Sequence, residues 1–389
     1  MKIRRCSCVF MEPREQVRVD LMSILSGGDG LARSMQWFAL APHLAGEVAV
    51  TDAECRLLGQ LGTEQWVGFD DIPAEDRDAL RRLIDVGLVV SADDIDGHHA
   101  DDERLRAARW HPLSATFHAF TRWSGIDSVS EMKLAGTDNA ATMRERLGEP
   151  PPASSQCGDG QRLPLPRIAP NEFDDLLARR ATCRNFDPSR QVPFDVFAQL
   201  LQRVFAAQAE VRVAHDTVFL KKNVPSGGSL HPMECYLIVQ HVEGVAPGLY
   251  HYQAQEHALE PLAAPATPLR ELVMDAVARQ HWFADAHVVV LMSPRFDRTF
   301  WKYRQHAKGY RVIALEAGHI SQTLYLAATE AGLGAFITSA INEVELEQAF
   351  GLDPIRQGAI AVCGFGWRAA TMETAELDPA ERVWVRADA

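Results

Sequence analysis

After residue 171, apolar and polar positions follow regular patterns that predict the elements of a folded domain. Apolar residues recur at helical spacing over 194–205, and Pro193 suits the first position of that helix. A longer segment, 311–331, is apolar on most faces, which predicts a buried helix. Short apolar runs predict strands at 235–240, 287–292, 335–340 and 359–364. Because helices and strands mix without a regular βαβ alternation, the pattern predicts an α+β fold in which helices flank a sheet.

The first part of the chain, 1–148, is less regular, and we interpret it as a separate and smaller domain. Within it, a helix begins after Thr51, and the order strand, helix, helix, strand over about 48–91 is typical of a small winged-helix module. The segment 149–170 is rich in proline and has little periodicity, as expected of an extended linker. The second domain is then 171–389.

Composition excludes several classes of protein. Hydrophobic residues make up 47% of the chain and charged residues 23%, which is ordinary for a globular protein. The net charge of −13 argues against binding to nucleic acid or to an anionic membrane. No apolar run approaches the roughly 20 residues needed to cross a bilayer, and the N-terminus does not have the pattern of a secretory signal. We therefore expect a cytoplasmic protein.

The seven cysteines are odd in number and scattered along the chain. No Cys-x-x-Cys pair occurs, so neither a zinc site nor a disulfide framework is indicated, and we expect no bound metal. Motifs of other enzyme classes are also absent from the sequence. The loop 227–231 begins like the nucleophile turn Gly-x-Ser-x-Gly, but histidine occupies its last position.

A glycine-rich stretch, 225–232, lies just before the first predicted strand of the second domain. Gly227 and Gly228 lack a Cβ, so the backbone can adopt positive φ and approach a flat ligand closely. Pro225 limits the conformations of this loop, and Ser226 adds a hydroxyl that can donate and accept hydrogen bonds. The stretch predicts a rigid turn with small polar groups facing a ligand.

Two further stretches carry candidate binding residues. Arg180 and Arg184 flank Thr182 directly after a predicted helix, which suits a dianion such as a phosphate. The alternative is that these cations only stabilise the dipole of the preceding helix. In the stretch 333–339, small residues would let the backbone amides reach the heteroatoms of a ring.

In this order the motifs resemble the FMN-dependent nitroreductase superfamily, and within it the SagB-type (McbC-like) dehydrogenases that mature ribosomally made peptides. The resemblance rests on Arg-x-Thr-x-Arg-x-Phe from Arg180 and on Pro-Ser-x-Gly-x-x-x-Pro from Pro225. It covers about 171–368, and supporting pieces follow in the expected order at 247–252, 301–303, 309–311 and 315–319.

The resemblance implies a nitroreductase-like mixed or antiparallel sheet and a homodimer that holds FMN near the subunit interface. It also implies which residues contact FMN. The phosphate and ribityl chain would be held by Arg180, Thr182 and Arg184, and the isoalloxazine ring would lie against Pro225, Ser226, Gly227 and Gly228. The N5 atom and the carbonyl edge of the ring would lie near Ile337, Thr338 and Ser339. Arg368 is a further phosphate candidate, and a plain surface arginine is the alternative.

Lys302 and Tyr303 match the lysine–tyrosine pair that azoline-oxidising members of the family use in catalysis. Removing a proton and two electrons from a heterocycle needs a base, and a desolvated lysine can act as one because burial lowers its pKa. The alternative is a helix face with a solvated lysine and a packed tyrosine.

The resulting expectation is an FMN-dependent oxidoreductase that dehydrogenates a thiazoline or oxazoline to an azole in a ribosomally synthesised peptide. Reduction of dehydroamino acids, a generalist NAD(P)H-dependent nitroreductase or flavin reductase, and a peptide-binding scaffold without catalysis are the alternatives. The expected partners are a precursor peptide and a cyclase or other maturation enzymes. The domain 1–148 would bind the leader peptide as an added strand, or would act only as a scaffold.

Overall fold

The computed structural model describes residues 1–94, 97–154 and 162–384, and the chain divides into two compact units. The first unit comprises Met1–Arg122 and Phe296–Arg311, and the second comprises Trp123–Arg295 and Val312–Ala389. The division therefore falls at Arg122 and not at residue 148, because the segment after Arg122 packs on the second unit. Within that unit, for example, the Ser128 hydroxyl donates to the carbonyl of Ala278 at 2.8 Å. In the predicted linker, 149–154 and 162–170 contain no helix or strand, and 155–161 lie outside the described residues.

The first unit contains two small antiparallel sheets. Their orders are β5-β1-β6 and β2-β3-β4. The strands are β1 Lys2–Arg5, β2 Phe10–Val19, β3 Leu31–Leu40, β4 Val48–Val50, β5 Val67–Gly68 and β6 Val89–Ser91. The helices are α1 Leu21–Leu25, α2 Asp52–Gln60, α3 Arg77–Asp85, α4 His98–Ala107, α5 Pro112–Phe120 and, from the second segment, α11 Phe296–Lys302. The predicted strand, helix, helix and strand are found as β4, α2, α3 and β6, but the short strand β5, which was not predicted, lies between the two helices. The winged-helix interpretation itself stays a prediction.

Local sequence explains how α2 begins. The Thr51 side chain accepts a hydrogen bond from the backbone of Glu54, and the Glu54 carboxylate accepts one from the backbone of Thr51. This capping box satisfies two backbone donors that the helix leaves unpaired, and the helix begins after Thr51 as the sequence predicted. Leu57 and Leu58 then face the core of the unit with at most 2% of their surface exposed.

The second unit is built on a six-stranded sheet in the order β11-β10-β9-β12-β14-β13, with every neighbouring pair antiparallel. These strands are β9 Met233–Val239, β10 Gly248–Gln253, β11 Ala258–Pro261, β12 Val288–Pro294, β13 Gly334–Thr338 and β14 Ala361–Gly366. A separate hairpin is formed by β7 Ala209–Ala214 and β8 Thr217–Lys221. The helices are α6 Ser128–Ala135, α7 Ala140–Leu147, α8 Glu172–Arg179, α9 Phe194–Val204, α10 Leu269–Ala276, α12 Gly309–Glu330 and α13 Glu343–Phe350. The predicted α+β class is confirmed.

Continuous apolar runs put β9, β12 and β14 at the centre of this sheet, where both faces are covered. Val288 to Met292 are at most 1% exposed, as expected for a strand buried on both sides. Helix α12 was predicted to be buried, yet one of its faces is open, and Leu315 is 64% exposed. In the described part of the chain, no helix is both long and apolar enough to cross a membrane.

Candidate functional site

Helix α12 places side chains beneath the glycine loop and beneath the cationic stretch of the second unit. Towards its N-terminus, Val312, Glu316 and His319 contact the loop 225–231. Nine residues after Glu316, Tyr325 contacts the cationic stretch. The helix therefore brings together two motifs that are about 40 residues apart in the sequence.

The glycine loop has an unusual backbone. Gly228 has φ +66°, and two residues with side chains, Ser229 at +57° and His231 at +44°, also lie in the left-handed region. Such conformations cost free energy and persist only where the surroundings hold them, as they do around ligand sites. A Cβ on Gly227 would lie 2.0 Å from Cγ1 of Val312, so this position must be glycine for the loop to lie against α12.

The hydroxyl of Ser226 bonds groups of the protein itself. It donates to the carboxylate of Glu316 and accepts the backbone N–H of His231 at 3.0 Å. Glu316 also accepts the backbone N–H of Met233, and burial raises the pKa of this carboxyl. Lys222, next to the loop, is 6% exposed, and burial lowers the pKa of its ammonium group. These contacts of the Ser226 hydroxyl close the loop, and the role proposed for Ser226 beside a ring stays a prediction.

The cationic stretch has two guanidinium groups that are available to an anion. Arg180 and Arg184 are half-buried, and neither forms an ion pair within the described part of the chain. Between them, the Thr182 hydroxyl lies 3.0 Å from the hydroxyl of Tyr325. The Arg180 guanidinium lies 5.3 Å from the centre of the Tyr325 ring, a cation–π contact that orients it. The role of Arg180, Thr182 and Arg184 as a phosphate site stays a prediction.

Tyr325 also joins this stretch to the third predicted stretch. The backbone N–H of Ile337 donates to the Tyr325 hydroxyl, and burial raises the pKa of that tyrosine. The backbone N–H of Cys183 donates to the carbonyl of Ala335 at 2.8 Å. The residues 180–184 therefore lie directly beside β13.

The remaining residues of the third stretch are held differently. The Thr338 hydroxyl accepts a hydrogen bond from Nε2 of Gln280 at 3.0 Å and one from the backbone N–H of Ala340 at 3.1 Å. Ser339 is exposed. The roles proposed for Ile337, Thr338 and Ser339 at the edge of a ring stay predictions.

Arg368 is ion-paired within the chain. Its guanidinium bonds the carboxylate of Glu376, whose side chain is fully buried. Glu376 also accepts the backbone N–H groups of Arg184 and Asn185, at 2.5 and 3.0 Å, and Nε1 of Trp384 at 2.6 Å. The segment that follows β14 is thereby fixed to the cationic stretch. Arg368 can contribute to a phosphate site only if its guanidinium binds the phosphate and the Glu376 carboxylate at the same time.

Lys302 and Tyr303 belong to the first unit, at the end of α11. The Nζ of Lys302 lies 5.6 Å from the centre of the Tyr303 ring, and Lys302 is exposed. A lysine that acts as a base was expected to be shielded from water. The residues of this unit that surround Lys302 do not shield it. Helix α11 itself is anchored by an aromatic cluster in which Trp110 lies 4.5 Å from Phe296 between ring centres.

The shape of the site in the second unit restricts its ligand. Glu316 beneath the loop and Tyr325 beneath the cations are nine residues apart, or about 13 Å along a helix axis. A ligand that touches both places has to be elongated, able to lie against a glycine backbone at one end and anionic at the other.

Comparison with known proteins agrees with this geometry. The model of the Nitroreductase family matches residues 177–367. MJ1384 of Methanocaldococcus jannaschii, which is named as a nitroreductase, is 30% identical over 191 residues, covering 49% of this chain and 90% of the relative. The chain belongs to the nitroreductase family. FMN is the cofactor of this family, and its phosphate and ring fit the glycine loop and the guanidiniums of Arg180 and Arg184, which form no ion pair with the described residues.

Two relatives of this nitroreductase-family chain are named as processing proteins. The trifolitoxin-processing protein TfxB of Rhizobium leguminosarum bv. trifolii is 30% identical over 178 residues, 44% of this chain and 46% of TfxB. The microcin B17-processing protein McbC of Escherichia coli is 24% identical over 186 residues, 47% of this chain and 65% of McbC. The matched region thus spans less than two thirds of each of these two relatives.

The fold likeness extends further along the chain. One chain of the E. coli microcin synthetase McbBCD complex with truncated pro-MccB17 bound superimposes with a TM-score of 0.52 and 20% identity. The match covers 71% of this chain and 97% of that chain, more than the 191 residues of the family model. The likeness in fold therefore includes residues outside 177–367.

Sequence reasoning missed Tyr325, Glu316 and Glu376, although each contacts a residue that it found. Tyr325 and Glu316 lie on a helix that was predicted, and their spacing of nine residues places them about two and a half turns apart. Glu376 gave no signal, because its partner Arg184 is 192 residues away along the chain.

Proposed function

We propose that the chain is an FMN-dependent oxidoreductase that modifies a ribosomally synthesised peptide, and that it dehydrogenates a thiazoline or oxazoline ring to an azole. The observation that supports it best is the contact of Tyr325 with Arg180, Thr182 and Ile337 on the same helix that underlies the glycine loop. The peptide-processing relatives TfxB and McbC favour a peptide over a free small molecule.

Within this proposal, the chain's own residues hold the cofactor. Arg180 and Arg184 would neutralise the FMN phosphate, Thr182 would donate to it, and the backbone of Gly227 and Gly228 would lie against the ring. FMN, when bound, supplies a two-electron acceptor that the protein side chains cannot provide. The fixed cations and the glycine backbone would hold that acceptor in one orientation.

Lys302 and Tyr303 would act on the substrate. Converting an azoline to an azole removes two hydrogens from the ring, one as a proton and one as a hydride, and leaves a new double bond. The amine of Lys302 would take the proton, and the hydroxyl of Tyr303 would stabilise the charge that develops. Since Lys302 is exposed in the isolated chain, this role needs the bound peptide to shield it.

Substitution of Lys302 tests the proposal. We expect Lys302→Ala to retain FMN, measured by visible absorbance, and to lose roughly 100-fold or more of its turnover of a synthetic peptide that carries one thiazoline. Lys308→Ala is the matched control, because Lys308 is also exposed and lies six residues further on. If Lys302→Ala turned the thiazoline over as fast as Lys308→Ala, Lys302 would have no part in the reaction.

A general nitroreductase is the second candidate, because MJ1384 is matched over 90% of its length. The two functions differ in their substrates. A general nitroreductase would oxidise NADPH rapidly with a nitroarene and leave the thiazoline peptide unchanged. The proposed enzyme would oxidise the thiazoline peptide and would oxidise NADPH only slowly with a nitroarene.

We also propose a homodimer. The open face of α12 exposes the apolar side chain of Leu315 in a single chain, and its burial against a second copy would be favourable. Light scattering of the purified protein should give twice the chain mass of 43.1 kDa, and Leu315→Glu should lower the measured mass towards that of a single chain.

A further inference from the structure

A second candidate site lies entirely within the first unit. It is a cavity of about 650 Å³ whose lining includes Ser7, Cys8, Arg109, Trp110, His111 and Gln305. Gln305 follows Tyr303 by two residues, so the cavity adjoins the segment that carries the proposed catalytic pair. Trp110 lines the cavity and also packs on Phe296 of α11.

Two residues of the cavity wall have a strained backbone. Arg109 has φ +60° and Gln305 has φ +47°, a region that side chains other than glycine seldom adopt. The backbone N–H of Gln305 donates to the carbonyl of Arg109 at 3.1 Å, so the two residues hold each other in place. Backbone strain of this kind concentrates at ligand sites because it fixes the direction of side chains.

Two hydrogen-bond donors of the cavity wall, on Arg109 and Ser7, are available to a ligand. The other arginine of the wall, Arg106, is already paired with Asp102 and Glu64. The exposed guanidinium of Arg109, by contrast, has no ion-pair partner among the described residues. The hydroxyl of Ser7 is buried, and within the same described ranges it makes no hydrogen bond. A buried hydroxyl without a partner costs free energy unless a ligand supplies the acceptor.

We propose that this cavity binds a carboxylate of the peptide that the enzyme modifies, with Arg109 as the charged donor and Ser7 as a neutral one. A carboxylate supplies acceptors for both, and it matches the planar fork of a guanidinium. The carboxylate is either an aspartate or glutamate side chain or the free C-terminus of the peptide. The inference rests on the proposed function, since it names a feature of the same substrate.

Three short synthetic peptides test this site and distinguish the two sources. The probes are acetyl-Gly-Asp-Gly-amide, with a side-chain carboxylate; acetyl-Gly-Gly-Gly with a free C-terminus; and acetyl-Gly-Asn-Gly-amide, which is neutral. Binding to the full-length protein is measured by saturation-transfer NMR and by calorimetry. Neither method depends on flavin or turnover, so a failure of the proposed function leaves the binding result interpretable.

We expect saturable binding of at least one acidic probe and none of the neutral probe. Arg109→Gln should weaken that binding roughly tenfold or more, because a charge-assisted hydrogen bond is lost, and Arg109→Lys should restore part of it. Ser7→Ala should weaken binding to a lesser degree. Arg104→Gln removes the same charge from α4, where Arg104 pairs with Asp101 outside the cavity, and should leave binding unchanged.

The preferred acidic probe identifies the source of the carboxylate. Equal binding of the neutral probe, no saturable binding of either acidic probe, or equal losses in Arg109→Gln and Arg104→Gln would overturn the proposal. Since Arg109 is exposed and its side chain carries no ion pair in the described ranges, its replacement should not unfold the protein, and the thermal midpoint checks this.

Discussion

Replacing Gly227 with alanine tests how the glycine loop is held against α12. The new Cβ would lie 2.0 Å from Cγ1 of Val312, whereas ordinary contacts begin at 3.4 Å, so one of the two must move by about 1.4 Å. The valine has little freedom to yield, because β-branched side chains in helices strongly prefer one χ1 rotamer. Overpacking of this kind costs about 1–3 kcal/mol. The loop should shift away from α12, and flavin retention should fall with it.

The assay combines thermal unfolding with the ratio of flavin to protein absorbance after gel filtration. Val312→Ala removes the clashing methyl, and the nearest remaining atom, Cβ of residue 312, would lie 3.4 Å from the new one. The double variant should therefore recover both stability and flavin, with a coupling free energy of about 1 kcal/mol or more in a double-mutant cycle.

Gly59→Ala is the control for the effect of alanine itself. Gly59 is exposed near the end of α2, and no atom outside its immediate neighbours lies within 4 Å of a Cβ built there. That change should stabilise the protein slightly, because alanine favours a helix. If Gly227→Ala behaved like Gly59→Ala, or if Val312→Ala failed to rescue it, the loop would not be held by this contact.

Three further predictions concern binding and stability. Arg184→Ala should raise the Kd for FMN roughly tenfold or more in a fluorescence titration, because a charged donor to the phosphate is lost. Glu376→Ala should destabilise the protein by about 3 kcal/mol in urea unfolding and expose the segment after Arg368 to proteases, because it leaves the half-buried guanidinium of Arg368 without its buried carboxylate. Burial lowers the pKa of His287 from 6.5 to about 4. Between these pH values the unfolded chain binds a proton that the folded chain excludes, so stability should fall by up to about 3 kcal/mol as pH drops from 6.5 to 4, with a shallower fall in His287→Gln.

Each of these has a contrary outcome. Arg179→Ala is the control for the loss of one positive charge, since Arg179 pairs with Asp175. If both variants weakened FMN binding equally, Arg184 would act only through the net charge of the protein and not through a contact with the phosphate. Unchanged proteolysis of Glu376→Ala would mean that other contacts fix the C-terminal segment. Parallel pH profiles of wild type and His287→Gln would assign the acid sensitivity to other groups.

The sequence predicted those elements whose pattern is local. The helix start after Thr51 and the buried strand at Val288–Pro294 depend on residues within a few positions of one another. The long hairpin of β2 and β3 was missed because Pro13 interrupts its first strand. Since β2 is an edge strand, a proline there costs no central ladder bond.

The unpredicted parts of the site depend on distant contacts. The segment Phe296–Arg311 belongs to the first unit although the chain on either side of it belongs to the second, and no composition change marks its ends. Likewise, the hydroxyl of Ser226 was expected to face a ligand, and it bonds Glu316, which is 90 residues further along the chain. Local patterns cannot show such partners, because long-range packing decides them.

The visible spectrum of the protein as purified, before any cofactor is added, tests the proposed function most directly. We predict flavin absorbance bands, with FMN released on denaturation in an amount close to one per chain. A colourless protein that also failed to bind added FMN would contradict the assignment of Arg180, Thr182 and the glycine loop as a flavin site.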